Sequence, residues 1–193
     1  LHLSIRRQRQ MCIRDSNNIS PEKSCCFTGY RPSKFPFPLE EGNRDYTNFE
    51  NSLTETILSV TDENCRTFYT GMAMGFDIIA AETVLLLKKS RNTAFDLKLV
   101  CAVPFKGQEN CYPDDWKERY IRILEGCDKK IVLSEKYYPG CYFKRNHYMV
   151  DKTDFVVTWF DGRSGGTKET VDYALRQGKR IINLAAPAQL SII

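Results

Sequence analysis

Three short segments combine glycine, hydroxyl and charged residues at spacings suited to holding an anion. Thr28-Gly29-Tyr30-Arg31-Pro32 joins a residue with no side chain, where the backbone can come close to a ligand, to a hydroxyl donor and a guanidinium fork that matches phosphate or carboxylate. Thr70-Gly71-Met72-Ala73-Met74-Gly75-Phe76-Asp77 places two glycines and small residues where an anion could approach backbone N–H groups at a helix start. Its spacing is neither the dinucleotide G-x-G-x-x-G nor a Walker A lysine loop. Asp77 would either accept hydrogen bonds from ribose hydroxyls or cap the helix that follows. The third segment, Gly162-Arg163-Ser164-Gly165-Gly166-Thr167, sets consecutive glycines before a helix. Several N–H donors can there meet one phosphate, with the Thr167 hydroxyl as a further donor; a flexible surface turn has the same composition.

A fourth group stands apart. Arg145-Asn146 lies near the start of another helical segment, where a cation gains nothing from the helix dipole. That invites a role in a site, against the plainer expectation of a solvated surface pair. His147, two residues on, is expected to pack with Phe143 and Val150 rather than to act as a base.

These segments need elements to position them, and the chain supplies strands and helices in alternation. Ser24–Thr28, Thr67–Thr70, Leu97–Val103, Lys129–Leu133, Phe155–Phe160 and Ile181–Leu184 read as strands. A first helix is expected from Thr47, where Thr47-x-x-Glu50 forms a capping box and Phe49, Leu53 and Ile57 recur at helical spacing. The apolar segment from Asp77 to Lys89 predicts a central, covered helix. A third helix opens at Asp114-Asp115 with Trp116, Tyr120, Ile123 and Leu124 on one face, and closes at Gly126. A fourth runs from about Tyr142 to Asp151. A fifth carries Val171, Ala174 and Leu175 inward and stops at Gly178. Parallel strands require crossovers, so about six strands with five intervening helices predict one α/β domain: a Rossmann-like, three-layer fold with a mainly parallel sheet. In such sheets ligands bind beyond the carboxyl ends of the strands. The loops after strands one, two and five are therefore the expected site, bordered by the long connection 31–45 with its three prolines.

Composition narrows the partners. The chain has 193 residues, 42% of them hydrophobic, and a net charge of +4. Residues 1–16 hold four arginines against one aspartate, which leaves about +1 for the rest. This leader starts with Leu, lacks helical periodicity and is set aside from the domain, taken as 17–193, as non-native or disordered; a basic targeting arm is the competing reading. A nearly neutral body makes nucleic acid an unlikely partner. The longest apolar run, Ile78–Leu87, is broken by Glu82, so no membrane partner is expected. Eight scattered cysteines without a C-x-x-C, and only two histidines, argue against a metal site and fit reduced thiols in the cytoplasm.

Taken together, FTGYRP at 27–32, YTGMAMGFDIIAAE at 69–82, VPF at 103–105, KRNHYMVDKTDFVVTWFDG at 144–162 and GGTKETVDYAL at 165–175 resemble the YpsA-like branch of the SLOG superfamily, related to the LOG and DprA proteins. The resemblance implies a Rossmann-like fold and binding of nucleotides or their derivatives. LOG-type relatives cleave the base from a nucleoside monophosphate, using an arginine on a helix and a G-G-x-G-T-x-x-E loop. Arg145 is similar to that arginine, but Thr170 stands where the glutamate belongs, and Glu169 is one residue early, about 100° around a helix.

The expected function is therefore binding or sensing of a nucleotide or ADP-ribose-like molecule at Thr28, Gly29, Arg31, Thr70, Gly71, Gly75, Asp77, Arg145, Asn146, Gly165, Gly166 and Thr167, without a cofactor and with a homodimer left open. One alternative is hydrolysis of a nucleotide N-glycoside by Asp77 or Glu169 with Arg145. Another is DprA-like single-stranded DNA binding, which the near-neutral body opposes. Because residues 1–16 have no apolar periodicity with which to dock, deleting them is expected to leave the melting temperature unchanged; a fall of several degrees in a thermal scan would show that they pack on the domain.

Overall fold

The computed structural model describes residues 21–90 and 96–185, so the leader 1–16 lies outside the described residues. Six strands, β1 (Lys23–Gly29), β2 (Cys65–Thr70), β3 (Lys98–Val103), β4 (Lys129–Val132), β5 (Phe155–Trp159) and β6 (Arg180–Asn183), form one sheet in the order β4-β3-β2-β1-β5-β6. Every neighbouring pair is parallel. The strands are joined through α1 (Arg44–Asp62), α2 (Phe76–Lys89), α3 (Asp114–Gly126), α4 (Cys141–Asp151) and α5 (Gly166–Arg176). The expected single α/β domain is what forms.

Side chains alternate across the strands, which divides the core in two. Cys25, Phe27, Phe155 and Val157 join one cluster with Leu53 and Ile57 of α1, Ile78 and Val84 of α2, and Tyr120 and Ile123 of α3. Cys26 and Val156, on the opposite face, join Met149 and Val150 of α4 and Val171 and Ala174 of α5. Strand β5 is buried from Phe155 to Thr158, as expected of a strand covered on both faces. In α2, Phe76 to Ala81 are all buried, which explains why its sequence is apolar around most of its circumference. Among the described residues no helix is long and apolar enough to cross a membrane.

Two local expectations are corrected. Helix α1 begins three residues before Thr47, because the Asn43 side chain accepts from the Asp45 and Tyr46 amides, both at 3.0 Å. Thr47 already lies inside the first turn and donates its hydroxyl to the Asn43 carbonyl. Leu175 is 44% exposed; α5 buries Thr170, Val171 and Ala174 instead. The connection between β1 and α1 is ordered by its aromatics. Phe35 stacks on Trp159 at 5.5 Å, and Phe37 meets both Trp159 and Phe49.

Replacing Asn43 with Ala removes the cap of α1 and is expected to cost ~1 kcal/mol in urea unfolding. Thr47→Ala, which leaves that cap in place, is expected to cost less. The reverse ranking would return the helix start to Thr47.

Candidate functional site

Strand β1 sits between β2 and β5, and the chain leaves these strands toward opposite faces of the sheet. After β1 it passes to α1, and after β5 to α5, on the two different core clusters. Open α/β sheets form a crevice at such a switch point. Here the crevice is a cleft of about 220 Å³ built from four stretches of chain. Thr28, Gly29 and Arg31 come from the end of β1, Asp77 from α2, Arg145 and Asn146 from α4, and Gly166 and Thr167 from the start of α5.

The remaining expected residues shape the cleft without lining it. The Thr70 hydroxyl donates to the Asp77 carbonyl at 2.9 Å and accepts from the Met72 amide at 3.1 Å. Met72 is held with φ of 59°, a left-handed conformation that a side chain adopts at some cost. Gly75 has φ of 91°, and a side chain there would run into the Tyr30 carbonyl, which accepts from the Phe76 amide at 3.1 Å. At Gly71 a side chain would occupy the space of the Arg145 guanidinium. Gly165 is the side-chain-free cap of α5, with φ of 143°.

Arg145 is the residue whose environment differs most from expectation. It is 3% exposed rather than solvated, because it projects from α4 into the sheet edge. Its Nη1 donates to the Gly71 carbonyl and its Nε to Asn146 Oδ1 at 2.7 Å. Asn146 passes the network on to Thr170 Oγ1 at 2.7 Å, and Thr170 donates to the Gly166 carbonyl at 2.8 Å. Asp77 is 4% exposed and is not the helix cap, which is Gly75. Burial pushes its carboxyl up to about 6, while Arg145 is the strongest influence in the opposite direction. Burial also lowers the pKa of Arg145, with Asp77 the main group restoring it.

Four lining residues escaped the sequence reading: Tyr30, Lys34, Ala73 and Tyr142. Tyr142 had a usable signal, since it lies three residues before Arg145 and so shares its helix face. Tyr30 and Lys34 form a latch across the mouth. The Tyr30 hydroxyl bonds Asp161, whose carboxyl is held well below its usual range by Arg163 first and Tyr30 second. Arg163 lies over the Tyr30 ring at 5.1 Å and donates to the Lys34 carbonyl at 2.7 Å. Lys34 Nζ reaches the Ser164 carbonyl at 3.4 Å. Thr167 completes the closure by donating to the Gly29 carbonyl at 3.1 Å.

His147 and Glu169 lie outside the cleft lining. His147 stacks on Tyr173 at 3.7 Å, and its Nε2 is 2.8 Å from Glu169. Thr170 is buried and neutral. The lining thus has three cations, Arg31, Lys34 and Arg145, and one acid, Asp77.

Comparison with known proteins agrees with this architecture. A family model described as the YspA SLOG family matches residues 25–183. The SPbeta prophage-derived protein YoqJ of Bacillus subtilis is 35% identical over 127 residues, covering 60% of this chain and 72% of that protein. A UPF0398 protein of Halalkalibacterium halodurans is 25% identical over 147 residues, 75% of this chain and 76% of its own length. Among solved structures, DNA processing protein A of Helicobacter pylori, described with a single-stranded DNA binding mode, superimposes with a TM-score of 0.58 at 18% identity. It covers 88% of this chain and 68% of its own. The Streptococcus pneumoniae protein of that name gives 0.57 at 16% identity, over 89% of this chain and 53% of its own. At such identities the likeness is one of fold.

The Asp77 carboxyl is expected to titrate near pH 6 by NMR, and Arg145→Met to move that midpoint upward by removing the neighbouring cation. A group raised in the folded state favours folding below its ordinary value of 3.8 and loses that contribution as pH rises through about 6. Asp77→Asn should therefore remove up to ~3 kcal/mol of the stability difference between pH 4 and pH 7 in urea unfolding. An Asp77 midpoint near 4 would contradict the burial of its charge.

Proposed function

The chain belongs to the YspA SLOG family, and from that premise we propose that its crevice binds a nucleotide-derived small molecule, a nucleotide or an ADP-ribose-like compound. The observation that carries this reading is the burial of Asp77 and Arg145 together at a cleft. Taking each charge out of water costs several kcal/mol, and buried charges with perturbed pKa values cluster at functional sites, so a role in the site accounts for them better than stability does. Asp77 supplies an acceptor for ribose hydroxyls. The first-turn amides of α5 have no side-chain cap and supply donors to a phosphate. Arg31 and Lys34 add charge at the mouth. A ligand of this class fits a cytoplasmic protein, as do the free thiols of the seven described cysteines.

A second reading, hydrolysis of a nucleotide N-glycoside, is supported by one specific feature. A carboxyl with a pKa near 6 is matched to general acid–base work at neutral pH. That reading now rests on Asp77 alone, since Glu169 pairs with His147. Single-stranded DNA binding, described for the Helicobacter pylori neighbour, would need a longer basic track than this cleft. A thermal-shift series with AMP, ADP-ribose and a single-stranded oligonucleotide, followed by product analysis, separates the three. Stabilisation by an intact nucleotide supports binding, release of free base supports hydrolysis, and a response to the oligonucleotide alone overturns both.

Gly166→Val is expected to weaken AMP binding at least tenfold, equivalent to ~1.4 kcal/mol, while leaving the melting temperature nearly level. Open space surrounds the position, so the added side chain clashes with nothing in the protein. Adenosine, lacking phosphate, should bind weakly to both forms and distinguish them little. Undiminished AMP binding would remove the α5 N-terminus from the site.

A further inference from the structure

The Val103-Pro104-Phe105 segment at the end of β3 has no place in the cleft described above, because Phe105 does not line it. Its ring instead meets Tyr137 at 5.5 Å and 79°, and Tyr142 at 5.8 Å and 76°. Tyr137 and Tyr142 are 6.4 Å apart at 56°. Rings that meet edge to face leave other ring faces uncovered by one another. Tyr137 is 61% exposed on the connection between β4 and α4, and Tyr142 is half-buried and lines the cleft. The aromatic patch is therefore continuous with the site through one ring. Arg31 is among the groups that act on the Tyr142 phenol, which sets the patch beside the cations at the mouth.

Size gives the patch its occupant. Pockets that enclose a drug-sized ligand usually hold about 300–1,000 Å³, and this cleft holds about 220 Å³. Asp77, Arg145 and Gly166 inside it match a ribose phosphate, so a base attached to that sugar must extend past the mouth. Tyr30 and Lys34 of the polar latch line the cleft, and so does Tyr142 of the aromatic patch. We propose that Tyr142, Tyr137 and Phe105 form a stacking platform for the planar base of a nucleotide whose ribose phosphate occupies the cleft, an inference that rests on the ligand class argued above. Stacking tolerates any base, since each has a π face. The platform therefore selects base-bearing ligands over bare sugar phosphates, not one base over another.

Calorimetric titration of the full chain with AMP, ADP-ribose and ribose 5-phosphate tests this. The wild type is expected to bind at least one of the base-bearing ligands about tenfold more tightly than ribose 5-phosphate. Tyr137→Ala, outside the cleft lining, should bring that ratio toward one while retaining affinity for ribose 5-phosphate; Tyr142→Leu should lower the ratio likewise, and Tyr142→Phe should preserve it. Tyr137 is largely exposed, so its loss leaves the fold in place, which a thermal scan verifies. A ratio near one in the wild type, or a ratio unchanged in both Tyr137→Ala and Tyr142→Leu, overturns the platform and leaves the cleft reading standing. Absence of binding by all three compounds overturns the cleft reading and the platform with it.

Discussion

The arrangement of the crevice depends on the burial of one guanidinium. Arg145 lies in the interior at the end of the sheet, and its neighbours are what a buried cation requires: a carboxylate, a backbone carbonyl and a side-chain amide oxygen. Gly71 lacks a side chain because the guanidinium fills that space. Asn146 is turned by its bond to Arg145 so that its amide nitrogen reaches Thr170, and Thr170 in turn holds the Gly166 carbonyl. The second loop, α4 and the start of α5 are thus set relative to one another by a single chain of hydrogen bonds. Stability and site geometry are consequently linked through the same side chains.

How far this was legible in the sequence differs from element to element. Strand β5 and helix α2 could be read because both are apolar beyond what one exposed face allows. Thr47-x-x-Glu50 and Asn43 are both good caps by sequence, and the structure uses Asn43, whose side chain accepts from the Asp45 and Tyr46 amides. Leu175 shows the limit of periodicity: it was expected inward and is exposed, while Thr170, a polar residue bonded to Asn146, is buried. The burial of Arg145 had no local signal. It follows from a contact with Gly71, 74 residues earlier in the chain. The latch of Tyr30, Lys34 and Asp161 is non-local in the same way, spanning about 130 residues.

The start of α5 keeps its acid away from the cleft. Thr170 places a neutral hydroxyl inside the network, while the neighbouring carboxylate Glu169 meets His147 instead of the cleft. The cleft is left with one acid among three bases. Its local charge is accordingly more positive than the nearly neutral body, and its field is concentrated where the strand ends converge.

The closure between Thr167 and Gly29, with the latch of Tyr30, Asp161, Arg163 and Lys34 beside it, joins the ends of β1 and β5 through bonds made within the chain itself. Loops that order only on binding forfeit conformational entropy at that moment, about 0.5–1.5 kcal/mol for each immobilised side chain. Here that loss is incurred when the chain folds. On the binding reading proposed above, an incoming molecule would meet walls already tied together by these bonds, with Arg31 and Lys34 placed to draw an anion toward them.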